Sequence, residues 1–243
     1  MILSTNDPQE FTKIICIVAH PDDETLLFAN TFSYLVKHIP LTIVSLTNRS
    51  NLIRSGEFEK SCSLIGAKSV MYDYVDGGTV LWGALKPIAE ILLKDLEITN
   101  QTVILSHSPS GDERGHLQHV QAFLLSRYIS AVTEASLLIN CNWSQLGREP
   151  MSSMTSSCTT QPRIWNPEDP ILTNSTHPLL PGITVQLQLH SFAFLPAKST
   201  LQKILIENYS SQYLSEYQGS TSLYDILASP CPTIFGDILD MGV

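Results

Sequence analysis

The sequence predicts an α/β fold: a Rossmann-like, mostly parallel sheet with helices on both faces, forming a single domain over residues 1–243. Three observations carry that expectation. Short apolar runs rich in β-branched residues, at 14–19, Leu41–Thr47, 69–74 and 101–106, read as strands buried on both faces. Helical patterns alternate with them, at 25–37, 54–65, Leu85–Leu96 and about 116–132. Strand and helix in regular turn is the rhythm of parallel crossovers.

Each element has a local cause. The first strand, Ile14-Ile15-Cys16-Ile17-Val18-Ala19, breaks off at His20-Pro21 and three carboxylates, and the first helical pattern begins there. The second strand runs into the polar loop Thr47-Asn48-Arg49-Ser50-Asn51. The next helix sets Phe58, Cys62 and Ile65 on one face, and Gly66 stops it in the position that favours a left-handed residue. The third strand ends at the turn Asp76-Gly77-Gly78, and Pro87 is tolerated in the first turn of the third helix. Val103-Ile104-Leu105 makes the fourth strand the most apolar, and a polar loop at 108–115 leads into the fourth helix.

Beyond it, 136–140 is expected to supply a fifth strand. Residues 141–178, rich in Ser, Thr, Asn and Pro, are expected to form a long loop or lid insertion. Residues 183–190 alternate as a strand, 200–217 read as helical, and the tail from 229 reads as irregular.

Composition narrows the class. Hydrophobic content of 43% with 15% charged residues fits a globular protein, and a net charge of −9 without a basic run argues against nucleic acid and anionic membranes as partners. Residues 1–12 show no secretory signal pattern and no apolar run approaches a membrane span. The five cysteines are scattered without a Cys-x-x-Cys pair, as expected of a reduced, cytoplasmic protein.

The chemistry concentrates at two places. A buried strand that delivers His20, Pro21, Asp22 and Asp23 to its C-terminal end puts them where open α/β sheets hold ligands. An imidazole and a carboxylate three residues apart can face one divalent metal, and Asp22 is then left for proton transfer. Helix capping by Asp22 or Asp23 is the plain alternative. The second place is Gly115-His116-Leu117-Gln118-His119, after strand four, where two imidazoles share the first helical turn. Both turns lie at the same sheet edge. His20, Asp23 and one histidine of the second turn make three ligands with an open position, as in catalytic metal sites, and Zn²⁺ is the first expectation, with iron or manganese also compatible. The other histidine is free to carry a proton or polarise an oxyanion; spacing alone does not choose between His116 and His119.

Ala19-His20-Pro21-Asp22-Asp23-Glu24 together with Gly115-His116-x-x-His119 strongly resembles the PIG-L/LmbE-like family of zinc-dependent N-acetylglucosaminyl deacetylases. Arg54-x-x-Glu57-x-x-x-Ser61 ending in Ile65-Gly66 is similar to that family's Arg/Glu helix, Val75-Asp76-Gly77 looks like its Asp-Gly turn, and Lys203 with Ser211-Gln212 faintly resembles a late helix. The resemblance covers residues 12–132 well and 183–217 loosely. It implies that His20, Asp23 and His119 ligate Zn²⁺, that Asp22 is the general base, and that His116 assists the departing amine. It also implies that Arg54 and Asp76 contact sugar hydroxyls. Arg114 stands where some relatives carry a Tyr, and is expected either to replace that oxyanion donor or to recognise an anionic substrate.

The expected activity is N-deacetylation of a GlcNAc-type sugar or small glycoconjugate. The partner expected is such a small molecule, with a homo-oligomer compatible. Two rivals remain at this level: a hydrolase of another amide, such as an acylated natural product, and a non-catalytic metal- or sugar-binding protein of the same fold.

Overall fold

A computed structural model of the chain describes residues 11–29, 31–32, 39–77, 82–109, 111, 116–141, 163–165, 171–176, 184–195, 200–213 and 233–240. Strands β1 (Lys13–Val18), β2 (Leu41–Thr47), β3 (Lys68–Tyr74), β4 (Thr102–Ser106) and β5 (Ser136–Cys141) lie in the order β3-β2-β1-β4-β5, all parallel. Between them run α1 (Leu52–Ile65), α2 (Leu85–Leu96) and α3 (Leu117–Thr133). The chain moves outward from β1 through β2 to β3, then returns to the other side of β1 for β4 and β5. The direction of winding reverses between β1 and β4, so a crevice opens beyond their C-terminal ends. That crevice is where the site forms.

Alternation along β1 builds the two layers of core. Ile15, Ile17 and Ala19 point to one face, where Ile88 and Leu92 of α2 and Ala122, Phe123 and Ile129 of α3 cover them. Ile14, Cys16 and Val18 point to the other face and meet Phe28, Phe32, Phe58 and Cys62. All six of these residues are fully buried, which is why the run shows no polar alternation.

The termini of α1 follow the sequence closely. Asn51 caps its start, accepting from the backbone N–H groups of Ile53 and Arg54 at 3.2 Å each. Gly66, at φ +81°, ends it, with its own N–H on the Ser63 carbonyl and that of Ala67 on the Cys62 carbonyl. These caps fix where Arg54, Glu57 and Ser61 stand.

The helix expected over 25–37 begins differently. Glu24–Phe28 is a π-helical turn, Ala29, Thr31 and Phe32 continue helically, and 33–38 lie outside the described residues. A π-helical turn re-aims side chains locally and is frequent at functional sites. Asp23 opens the turn without capping it.

The parallel sheet continues into an antiparallel half that the strand–helix rhythm does not announce. The tail expected to be irregular forms β9 (Thr233–Asp240), which pairs antiparallel with β5. Beyond it lie β8 (Thr184–Leu195) and β6 (Arg163–Trp165), and β7 (Ile171–Thr176) also pairs with β8. The stretch 141–178, expected as one loop or lid, therefore contains β6 and β7; the rest of it, past the end of β5, falls outside the described residues. Pairing to β8 makes these strands, whereas β6 is three residues long and β7 is two-thirds polar, too short and too mixed to signal themselves. The late helical pattern is α4 (Thr200–Asn208) and the single turn α5 (Ser210–Tyr213), joined at Tyr209. Among the described residues no helix is long and apolar enough to cross a membrane.

Candidate active site

The end of β1 is pinned from both neighbouring strands. The Ala19 N–H donates to His107 Nε2, just past β4, at 3.0 Å, and the Ala19 carbonyl accepts from Thr47 Oγ1, at the end of β2, at 3.0 Å. His20 and the following carboxylates are thus delivered to the crevice from a fixed backbone.

Asp23 folds back onto the strand end. Its Oδ2 accepts the His20 backbone N–H at 2.8 Å, which disposes of the capping alternative for this residue. The same oxygen lies 3.4 Å from His20 Nδ1, and Oδ1 lies 3.4 Å from His119 Nε2. The two imidazoles approach at 3.1 Å, His20 Nδ1 to His119 Nε2. Donors bonded to one tetrahedral Zn²⁺ at 2.0–2.1 Å stand roughly 3.3–3.4 Å apart. The two imidazoles approach Asp23 at that range through different oxygens. Among the described residues, ligand atoms of His20, His116 and His119, and of Asp23, His107 and His119, lie within 4.8 Å of one another. By this test the residues present fit a divalent metal. His20, Asp23 and His119 are 7%, 4% and 4% exposed, so all three side chains are buried.

The electrostatics point the same way. Burial alone would drive the His20 ring neutral, but the Asp23 and Asp76 carboxylates outweigh it and hold its pKa up at about 10. Burial also opposes the Asp23 charge, but His119 and His107 overcome it and keep that carboxyl well below the usual range. The pocket stabilises positive charge between its carboxylates.

His119 and His116, which spacing leaves equivalent, differ in burial and in contact with Asp23, although both keep a ring nitrogen within 4.8 Å of one on His20. The α3 helix starts so that His119 turns inward to Asp23, while His116 is half-buried at the rim, with its ring centroid 5.8 Å from that of His20. Gln118, fully buried between them, donates to the Gly77 carbonyl and ties the start of α3 to the turn after β3.

Asp22 stands beside the cluster at φ +118°. Burial, with the Asp23 charge behind it, pushes its carboxyl pKa well above the ordinary carboxylate range, against the pull of Arg54. A carboxylate made more basic in this way is suited to accept a proton. Arg54 Nη2 lies 3.6 Å from Asp22 Oδ1 and donates to the Pro21 carbonyl at 2.9 Å; Nη1 reaches Asp76 Oδ2 at 3.2 Å. Asp76 in turn places Oδ1 3.2 Å from His20 Nε2 and accepts from Asn48 Nδ2 on its other oxygen at 2.6 Å. The hydrogen bond with His20, above all, holds the Asp76 carboxyl far below its usual range. A carboxylate on the far nitrogen of an imidazole fixes its orientation and leaves the near nitrogen for a metal. Arg114 lies outside the described residues.

Three further groups matter here. His107, which from its place after β4 could equally be a loop histidine satisfied by backbone, accepts from Ala19, stacks on His119 at 4.3 Å between centroids, and lies 3.4 Å from Asp23 Oδ2. Burial and the neighbouring His119 lower its pKa to about 4, so it sits neutral. Asn48, which reads as an ordinary loop residue, orients Asp76. Glu24, placed by sequence where it would only favour a helix N-terminus, is completely buried and accepts from Tyr209 Oη, Ser61 Oγ and Thr25 Oγ1. The Arg54/Glu57/Ser61 spacing is the available signal for this network: one face of α1 sends Arg54 to the loop, Ser61 to Glu24, and Glu57 to the Ser211 N–H at 2.8 Å.

Comparison with known proteins bears on the fold and the family. Residues 15–129 match the family model for PIG-L, GlcNAc-PI de-N-acetylase. No curated protein matches the sequence. Among solved structures, the A40926 pseudoaglycone deacetylase Dbv21 is 12% identical, with 96% of this chain and 99% of that one covered at a TM-score of 0.59. The zinc-inhibited form of teicoplanin deacetylase Orf2 is 10% identical over 94% and 98% of the two chains, at 0.57. An N,N'-diacetylchitobiose deacetylase from Pyrococcus horikoshii is 22% identical, but the match spans only about half of each chain (52% and 52%), at a TM-score of 0.43. The matched family segment begins in β1, ends in α3, and holds His20, Asp22, Asp23, Arg54, Asp76, His107, His116 and His119. The segment that builds the crevice, residues 15–129, is thus similar to the PIG-L family.

Proposed function

We propose that the protein is a metal-dependent hydrolase that removes the N-acetyl group from a GlcNAc-type sugar or small glycoconjugate, giving acetate and a free amine. The observation that carries the reading is the convergence of His20 Nδ1, Asp23 and His119 Nε2 at 3.1–3.4 Å, beside a carboxylate, Asp22, outside that set. Those three side chains would hold the metal, with Zn²⁺ the first candidate for this nitrogen and oxygen donor set. Bound there, the metal supplies Lewis acidity, polarising a carbonyl and making water a stronger acid.

The chain's own residues supply the rest. Asp22 takes the proton of the attacking water as its oxygen adds to the acetamide carbon. His116, at the rim, gives a proton to the amine nitrogen as the C–N bond breaks. Arg54 and Asp76, whose side chain is still 35% exposed, line the rim as partners for sugar hydroxyls, and Arg114 is assigned to the same role or to an anionic substituent. A cytoplasmic location is part of the same proposal. A pure binding protein has no use for a basic carboxylate next to the ligand set, and this argues against the non-catalytic rival.

The test is acetate release from N-acetylglucosamine, a GlcNAc-inositol, N,N'-diacetylchitobiose and an N-acylated non-sugar amide. Turnover of one of the sugars supports the reading. Turnover of the non-sugar amide alone would transfer the site to the other class of hydrolase, and silence on all four with metal bound would contradict the proposal.

Asp76 gives a separate prediction. Asp76→Ala removes the carboxylate that orients His20, and metal affinity falls roughly 10- to 100-fold, the usual effect of losing such a partner. Competition against a chromogenic chelator measures it, and an unchanged affinity would mean that the His20 pairing has no bearing on metal binding.

A further inference from the structure

We propose that Glu24 is a positioning residue for the reaction, holding the backbone of Asp22 in a conformation it would not otherwise keep. The proposal rests on the reading of Asp22 as the base. Among the described residues, three of the four non-glycine residues with positive φ, Asn48, Glu97 and Glu134, lie between +50° and +66°, the ordinary left-handed region. Asp22 alone lies at +118°, outside it, where a side chain is strained and the surroundings must impose the shape.

Glu24 is built to do so. Its Oε1 takes three hydroxyls from three separate elements: Thr25 Oγ1 at 2.8 Å in its own turn, Ser61 Oγ at 2.8 Å from α1, and Tyr209 Oη at 2.6 Å from the joint between α4 and α5. Those donors fill one oxygen and fix the carboxylate in a fully buried position. The other oxygen, Oε2, is left to accept the Asp22 backbone N–H at 3.0 Å. The Asp22 carbonyl is held independently by the N–H groups of Thr25 and Leu26 at 2.9 and 3.0 Å. With both ends of the residue tied, the direction of its Cα–Cβ bond is fixed, beside the His20–Asp23–His119 set. Tyr209, 185 residues from Glu24 in the chain, thereby links the C-terminal part to the base.

The experiment separates positioning from mere stability. In Glu24→Met combined with Ser61→Ala and Tyr209→Phe, the carboxylate and two of its donors become apolar together, so that only the Thr25 hydroxyl and the Asp22 N–H lose an acceptor. Tyr209→Phe alone keeps the Glu24 bond to Asp22. With N-acetylglucosamine as the probe, the triple variant loses kcat by roughly 10²-fold, the scale of a 1 Å misplacement, with KM and metal content unchanged. Tyr209→Phe, which removes one of the three donors and keeps the Glu24 bond to Asp22, lowers Tm and costs kcat less than the triple variant does. Hydrogen exchange of the Asp22 amide gives a readout that needs no turnover: it is slow in wild type and fast in the triple variant. Rapid exchange of that amide in the wild-type protein would overturn the proposal even if the triple variant failed to fold. A triple variant as active as wild type would overturn the positioning role while an inactive Asp22→Asn left the base in place. An active Asp22→Asn would remove the base and this inference with it.

Discussion

Asp22→Asn lowers kcat by roughly 10²- to 10⁴-fold, the range contributed by a general acid or base, and leaves the metal content and the fold unchanged. Asn has the shape of Asp and tolerates positive φ better than other substitutes, so the +118° backbone survives the change. The ion pair between Asp22 and Arg54 is long, 3.6 Å, and is not what holds the loop, because Arg54 also grips the Pro21 carbonyl at 2.9 Å. What disappears is a basic lone pair whose proton affinity burial and Asp23 have raised. Acetate release and metal analysis on the same preparation check the prediction. Equal loss of metal would recast Asp22 as a ligand.

Glu24→Ala destabilises the fold by about 3–5 kcal/mol, because three buried hydroxyls and one backbone N–H lose a charged acceptor together and a cavity opens. The buried carboxylate is itself costly, and burial raises its pKa, but its partners are aimed at it and nothing in the variant replaces it. Losing a third or more of a typical domain's stability should be visible as a lower denaturant midpoint. An unchanged midpoint would mean that the three hydroxyls find other acceptors and that the cluster contributes little to the fold.

The parallel half of the fold is legible in the sequence because its signals are local. β1 is buried on both faces and reads as an unbroken apolar run; Asn51 and Gly66 mark the ends of α1; and the strand–helix rhythm alone implies a parallel sheet. The antiparallel half is not legible in the same way. β6, β7 and β9 exist through pairing with distant strands, and Gly236-Asp237 interrupts the apolar pattern of β9.

At the site, the sequence singles out His20, Asp22, Asp23 and the pair His116 and His119, which the fold brings together, since motif density at a strand end is a one-dimensional signal. It does not orient that pair, which depends on where α3 begins relative to Asp23. Nor does it show Glu24 with Tyr209, or His107 stacked on His119, because those meetings are set by the sheet order and not by spacing.

Everything proposed for the chemistry depends on His20, Asp23 and His119 holding a single divalent metal. Elemental analysis of the purified protein beside His20→Ala, Asp23→Ala, His119→Ala and His116→Ala tests that most directly. One metal ion per chain is expected in the wild type and in His116→Ala, with its loss from the other three. A wild-type protein that takes up no divalent metal, or an Asp23→Ala variant that retains it in full, would contradict the assignment.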